Sequence, residues 1–541
     1  MKKLILLLLF YGSLLSQTTD TLFILQTTDM HGNIYPYDYF TDQPDENRGL
    51  AKIYSRVIEY RKNHRNVILI DSGDLLQGTP LAYYFNHNDK ELTHPLILTM
   101  NYMGYDAFTV GNHDIEQGLF VYKKAENESK FPWLSANASL EDKRTYYPPY
   151  TIIERNGLKI GILGLTTPGI PMWLDKNLYP GVSWEDMVST ARKYAAELRP
   201  KVDILVGSFH AGFNADYSQA QSDAAGLPNE NASEWVAEKV NGFDAVFAGH
   251  SHRAGPMKPG IENKMSFNYG PLRLNAGHWG ENLGVARIIL SKDKSGWKVT
   301  DKQGWLESVR YIEPAQSILE LTEYYHKKTL DYIRTQIGTL KTPISASNAR
   351  FEDTALMDLI NDAQLDFTGA DISFVSSFND KFKLDAGPIF IKDIYGMYRY
   401  ENFLYVIEMT GRQIRDFLEY SARYFILENG RVKTNPEIAG YNYDMAEGVN
   451  YQIDLYEEPG RRIINMRDPK TGKPFDMNKT YTVALNSYRA SGGGGHLAAA
   501  GALNNKIVFK STEEMRNILA DYISKKRTIT ATANKNWMLL K

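Results

Sequence analysis

Between residues 20 and 310, short apolar runs alternate with longer segments carrying apolar residues at helical spacing, and this alternation narrows the fold most. The runs are Thr21–Leu25, Val67–Ile70, Ala107–Val110, Ile160–Leu165, Asp203–Val206 and Asp244–Phe247. Each has the length and near-continuous apolarity of a buried strand. The intervening Gly49–Lys62 and Trp184–Leu198 read as helices, which makes this region an α/β layered unit. Around Leu272–Ile289 the pattern turns to alternating β and is expected to complete a second sheet.

Pro314 and Gly338 bracket a long amphipathic stretch, so one helix is expected over Ala315 to Gly338 as a connector. Beyond it lies a second, mixed α/β unit with glycine-marked turns, in which Ser511–Lys526 reads as a terminal helix. Lys2 and Lys3 precede an apolar run from Leu4 to Phe10, followed by the small residues Gly12, Ser13 and Ser16. That is the pattern of a secretory signal peptide, and the run is short of the ~20 residues of a membrane-spanning helix. The expected organisation is a signal peptide at 1–16, a catalytic unit at 20–310, a connector at 311–340 and a second unit at 341–541. The mature chain is expected outside the cytoplasm, periplasmic or secreted, without a transmembrane segment.

Composition removes several classes of function. A net charge of −3, from 61 basic and 64 acidic residues, excludes the footprint of a dedicated nucleic-acid polymer binder but leaves small nucleotides open. The chain has 0 Cys, so thiol catalysis, disulfides and thiolate metal sites are excluded. A metal would have to be held by His, Asp, Glu or Asn.

Such residues gather directly after the strand-like runs. The motifs are Asp29-Met30-His31, Gly73-Asp74, Gly111-Asn112-His113-Asp114, Ser208-Phe209-His210 and Gly249-His250-Ser251-His252. In open α/β sheets functional groups collect beyond the carboxyl ends of strands. Five of the 11 His lie in these motifs, a concentration that core packing does not require. Carboxylates, imidazoles and an amide oxygen suit two divalent cations of the Zn, Mn, Fe or Co type, with Asp74 bridging. Asp29, His31, Asp74 and His252 are assigned to one ion, and Asp74, Asn112, His210 and His250 to the other. Two such ions about 3.5–4 Å apart clamp the oxygens of an in-line phosphoryl displacement.

The order of these motifs resembles the calcineurin-like metallophosphoesterases. In the second unit, Gly448–Asp454 and Asn486–Gly493 are similar to the C-terminal domain of the 5′-nucleotidase superfamily. Tyr398–Asn402 and Tyr441–Asp444 resemble its branch of periplasmic 2′,3′-cyclic-nucleotide 2′-phosphodiesterase/3′-nucleotidases. The resemblance implies a four-layer α/β/β/α sandwich followed by a smaller mixed α/β substrate-binding domain. It also implies hydrolysis of 2′,3′-cyclic nucleotides to 3′-nucleotides, then to nucleoside and phosphate.

By the same resemblance, His113 stabilises the transition state or protonates the leaving oxygen, oriented by Asp114 or Glu116. Tyr441, Tyr443 and Tyr488 lie where the family stacks the nucleobase. Phe374–Asn379 has no Arg where secreted 5′-nucleotidases usually carry Asn-x-Gly-Gly-Ile-Arg, and Gly492–Gly495 stands where they read Gly-Gly-Asp-Gly. Both differences weigh against a plain 5′-nucleotidase, the same-class alternative together with nucleotide-sugar hydrolysis. The glycine run lacks the Lys-[Ser/Thr] of a nucleoside-triphosphate loop and is expected to let backbone approach a ligand. A catalytically silent nucleotide-binding or adhesion protein is the alternative from a different class. The oligomeric state is not encoded in any of these motifs.

Overall fold

The computed structural model describes residues 18–255, 265–266, 270–294 and 296–541. The segment read as a signal peptide lies outside the described residues. Two sheets build the N-terminal unit. One has seven strands in the order Met265–Ser266, Gly296–Ser308, Asn282–Asp293, Thr18–Thr27, Asn66–Asp71, Ala107–Thr109 and Trp133–Leu134. The other has five, in the order Leu272–Leu274, Ala245–Ala248, Ile204–His210, Leu158–Thr166 and Tyr150–Arg155. The strands that precede the motifs run parallel, with Ile24 opposite Ile68 in the first sheet and Val206 opposite Ile162 in the second.

Side chains alternate across a strand, and here both faces of each sheet are covered. Leu22, Ile24, Ile68 and Ile70 face Ile160, Ile162, Val206 and Phe247 in a core between the sheets. Their neighbours Phe23, Leu25, Val67 and Leu69 pack under the helices Leu50–Asn63 and Gln316–Ile333. On the far side, Leu163, Leu165, Leu205 and Phe209 meet the Met187–Leu198 and Ser233–Lys239 helices. The result is an α/β/β/α sandwich. The continuous apolar runs follow from strands buried on both faces.

Three sequence expectations change. The stretch Leu272–Ile289 is shared: Leu272–Leu274 joins the five-stranded sheet, whereas Asn282–Asp293 pairs antiparallel with Thr18–Thr27 in the other. The helix expected to Gly338 ends at Ile333, and Gly338 lies in the strand Gln336–Leu340. A Cβ on Gly338 would stand 2.7 Å from Cγ2 of Ile523, so this glycine serves strand-to-helix packing and not helix termination. The last helix spans Met515–Lys526, because Ile507–Glu514 pairs with Phe403–Thr410 instead. Tertiary pairing overrides local propensity there.

The C-terminal unit centres on a five-stranded sheet in the order Asp444–Glu447, Ile372–Ser376, Thr480–Asn486, Phe403–Thr410 and Ile507–Glu514. Its buried core draws on residues from Leu340 to Trp537 and is separate from the three cores of the sandwich. Among the described residues no helix is long and apolar enough to cross a membrane.

Candidate metal centre

All five motifs leave the sheets at the same rim. Asp29 and His31 follow the strand ending at Thr27, Asp74 the one ending at Asp71, and Asn112 the one ending at Thr109. His210 closes its strand, while His250 and His252 follow Ala248. Asp29, His31, Asp74, His250 and His252 all adopt left-handed backbone, with φ of 51°, 45°, 61°, 68° and 55°. Such conformations are uncommon outside glycine and cost energy, so their concentration at one rim marks a site held by its surroundings. The holding groups are visible. Backbone N–H groups of Asp29 and His31 donate to the carbonyls of Gly73 and Asp74 at 2.7 and 2.9 Å. The Asp114 carboxylate accepts N–H bonds from Gly111, Asp74, Leu75 and Leu76 at 2.8–3.0 Å.

The side chains form two convergent sets. Ligand atoms of Asp29, His31 and His252 lie within 4.8 Å of one another, and so do those of Asp74, His210 and His250. Nε2 of His31 and Nε2 of His252 are 2.9 Å apart, with Asp29 Oδ1 3.3 Å from the latter. His31 Nδ1 lies 2.9 Å from the Gln77 carbonyl, which can only accept, so Nδ1 carries the proton and Nε2 presents a lone pair. His210 repeats the device: its Nδ1 faces the Ser72 carbonyl at 2.7 Å. Its Nε2 is 3.1 Å from Asp74 Oδ2 and 3.1 Å from Asn112 Oδ1. Asp74 Oδ2 also lies 4.0 Å from His31 Nε2, between the two sets.

His31 Nε2 and the carboxylate oxygens of Asp29 and Asp74 turn lone pairs into the rim, where only protons or cations can sit among them. The electrostatics of the rim agree. Burial, with His252 beside it, pushes His31 down to about 3, and burial with His210 does the same to His250. Against its own burial, the Asp74 carboxylate drives His210 up to about 9, placing a proton where an ion would otherwise sit. The donor set therefore fits two divalent cations, which would displace that proton on binding.

His113 stands apart from both sets. Its Nδ1 is 2.5 Å from Glu116 Oε2, and its backbone N–H donates to Asp74 Oδ1 at 2.8 Å. Glu116 thus faces the ring, whereas Asp114 is spent on backbone amides. Despite burial, Asp74 and then Glu116 hold His113 up to about 9.

A cavity of about 340 Å³ opens from this rim toward the C-terminal unit. Gln77, Asn112, His113, Glu116, Trp173 and His250 line one side. Across from them stand Phe378, Tyr400, Asn402, Tyr441, Ser487 and Tyr488. Of the three tyrosines expected to stack a base, Tyr441 and Tyr488 are among the residues lining the cavity. Tyr443 is not: it is 1% exposed and stacks on Tyr424 at 5.3 Å within the core. The glycine run also has a different use. A Cβ on Gly493 would come within 2.5 Å of the Tyr488 ring, and one on Gly494 within 2.3 Å of Arg489 Nη1. These glycines let the loop pack on Tyr488 and Arg489. Phe378 and Tyr400 lie in stretches already notable in the sequence, while Trp173 follows a short 3₁₀ turn with no periodicity to mark it.

Comparison with known proteins places both units. The calcineurin-like phosphoesterase profile matches residues 23–254, and the 5′-nucleotidase C-terminal domain profile matches 336–501. The trifunctional nucleotide phosphoesterase YfkN of Bacillus subtilis is 31% identical over 95% of this chain, which spans 38% of that protein's length. A crystal structure of YfkN is 32% identical, covering 59% of this chain and 100% of the crystallised one, with a TM-score of 0.53. A 2′,3′-cyclic-nucleotide 2′-phosphodiesterase/3′-nucleotidase of Yersinia enterocolitica is 28% identical, covering 98% of this chain and 90% of its own. A Staphylococcus aureus protein crystallised under a provisional 5′-nucleotidase name shares the fold, with a TM-score of 0.82 at 24% identity over 96% of this chain and 100% of its own. The chain belongs to the calcineurin-like metallophosphoesterases that carry a 5′-nucleotidase C-terminal domain, and it is a metal-dependent phosphoester hydrolase.

Proposed function

We propose that the chain hydrolyses 2′,3′-cyclic nucleotides to 3′-nucleotides and then releases nucleoside and phosphate. One observation carries the reading. The cavity wall supplied by the C-terminal unit contains one arginine, Arg489, and its guanidinium is already engaged. Arg489 Nε donates to Asp444 Oδ2 at 2.6 Å, Nη2 to the Tyr441 carbonyl at 2.8 Å and Nη1 to the Gly493 carbonyl at 3.0 Å. No free guanidinium among the described residues of that wall awaits a terminal phosphate. Beside Glu401, which is paired with Arg516, the wall offers rings and neutral amides, which suit a nucleoside whose phosphate is held at the opposite rim. The names borne by the Yersinia relative and YfkN support the same class of substrate.

In this reading Asp29, His31, Asp74 and His252 hold one divalent ion, and Asp74, Asn112, His210 and His250 the other. When bound, the ions supply positive charge to the phosphoryl oxygens and a nucleophile at neutral pH. The Nδ1 contact with Glu116 fixes the His113 ring, leaving Nε2 to hand its proton to the departing 2′-oxygen, and to the 3′-oxygen in the second hydrolysis. Tyr441 and Tyr488, with Phe378 and Tyr400, receive the base. Stacking on such rings contributes about 1–3 kcal/mol per base and tolerates base identity. The leader-like N-terminus supports action in the periplasm or outside the cell.

Rates on 2′,3′-cyclic AMP, 3′-AMP and 5′-AMP test the proposal. The first two should be hydrolysed far faster than the third. Preference for 5′-AMP would establish the 5′-nucleotidase reading instead, and an absence of turnover on all of them would overturn the nucleotide reading.

A further inference from the structure

Gln77 is buried, 6% exposed, yet its side chain borders the cavity beside Asn112 and His113. Its backbone is held from several directions. The Gln77 carbonyl receives His31 Nδ1 at 2.9 Å, and the preceding Leu76 donates its N–H to Asp114 and accepts from Asn86 Nδ2 at 2.7 Å. The following Gly78 (φ 131°) lies so close to His31 that a Cβ there would be 2.7 Å from the His31 Cβ. The loop is therefore fixed, and the Gln77 amide projects from a rigid base. That amide has no hydrogen-bond partner among the described residues. The amide is not among the buried unpaired groups, so it opens to the cavity that Gln77 lines, and its two N–H groups are left to bond whatever fills that cavity.

Several neighbouring polar atoms are already committed. Asn112 Oδ1 faces His210, His113 Nδ1 faces Glu116, and the Glu116 carboxylate is an acceptor that would repel an anion. At this end of the cavity the available donors include His113 Nε2, Asn112 Nδ2 and the Gln77 amide. We infer that the Gln77 side-chain amide donates a hydrogen bond to a non-bridging oxygen of the phosphoryl group and so orients the ester for attack. Gln77 is a substrate-binding residue on this account and not an ion ligand, since its carbonyl, not its side chain, supports His31. The inference rests on the reading that this rim is the phosphoryl-transfer site, but not on which nucleotide is preferred.

The test compares Gln77→Leu and Gln77→Glu with the unaltered protein, using its best nucleotide and bis(p-nitrophenyl) phosphate, which has no base or ribose. A hydrogen bond to a charged group predicts a loss of roughly ten- to hundredfold in kcat/KM for Gln77→Leu, equal on both substrates. Gln77→Glu, which keeps the size but adds negative charge, should lose more. Inorganic phosphate should inhibit Gln77→Leu more weakly by a similar factor and raise its Tm less, while divalent-ion content stays unchanged. Loss on the nucleotide alone would assign Gln77 to the ribose and overturn the inference. Unchanged phosphate inhibition, or loss of ions with Gln77→Leu, would overturn it too. A 5′-nucleotide preference of the unaltered protein would remove the proposed substrate yet leave the phosphate contact standing, so the two failures are separable.

Discussion

The two walls of the cavity are built in opposite ways. At the sandwich rim every proposed ligand sits at a strand end or within a few residues beyond one, and five of the seven occupy left-handed backbone. Across the cavity, Phe378, the pair Tyr400 and Asn402, Tyr441 in a short turn and Tyr488 in the short helix Ser487–Ala490 come from four separate segments. Each ligand of the first wall is marked by its own strand and motif and held in over-determined geometry, whereas nothing local marks the second. Phosphoryl chemistry needs donor atoms placed to fractions of an ångström, and strand ends of a buried parallel sheet supply that rigidity. Recognition of a base needs only flat apolar area, which several arrangements of rings can provide.

Substitutions on the two walls should differ in what they disturb. The largest effect is expected for Asp74→Asn, since Asp74 lies between both ligand sets. Turnover should fall by orders of magnitude and at least one ion should be lost, read by kinetics and elemental analysis. The fold should persist, read by Tm with the ions removed. A variant with two ions and near-normal turnover would take Asp74 out of the site.

His113→Gln comes next. With the proton donor gone but no ligand removed, turnover should fall about a hundred- to ten-thousand-fold at unchanged ion content. Loss of both ions would merge His113 with the ligand shell and blur the division drawn here.

On the other wall, Tyr488→Ala should raise KM for nucleotides roughly five- to hundredfold, the equivalent of one stacked base. Hydrolysis of bis(p-nitrophenyl) phosphate should change little. Equal loss on both substrates would mean that the ring braces the rim.

The smallest effect belongs to Tyr443→Phe. Its hydroxyl is buried without a partner, so removing it should leave KM unchanged and Tm equal or slightly higher. A raised KM would return Tyr443 to the cavity.

Much of the rim was legible in the sequence because its chemistry is written next to its strands: an apolar run, then Asp, His or Asn. The second wall was legible only in part. Tyr441 belongs to the short turn Gly440–Asn442, and Tyr443 precedes the strand Asp444–Glu447, so neighbouring tyrosines point to the cavity and to the core. No periodicity separates them before the fold does. Gly338 misled for a related reason: a glycine that ends a helix and one that admits a neighbouring side chain look alike in one dimension. Asp114 and Glu116 were equal candidates to orient His113 until the short helix Asn112–Glu116 aimed Asp114 at backbone amides and Glu116 at the ring.

The rim is proposed as a two-ion site whose ligand sets share Asp74. The most direct measurement is the number of divalent ions per chain in protein at full phosphate-releasing activity, determined by elemental analysis during titration of the stripped protein. The account predicts activity that saturates at two ions per chain. Full activity with one ion or none would contradict it.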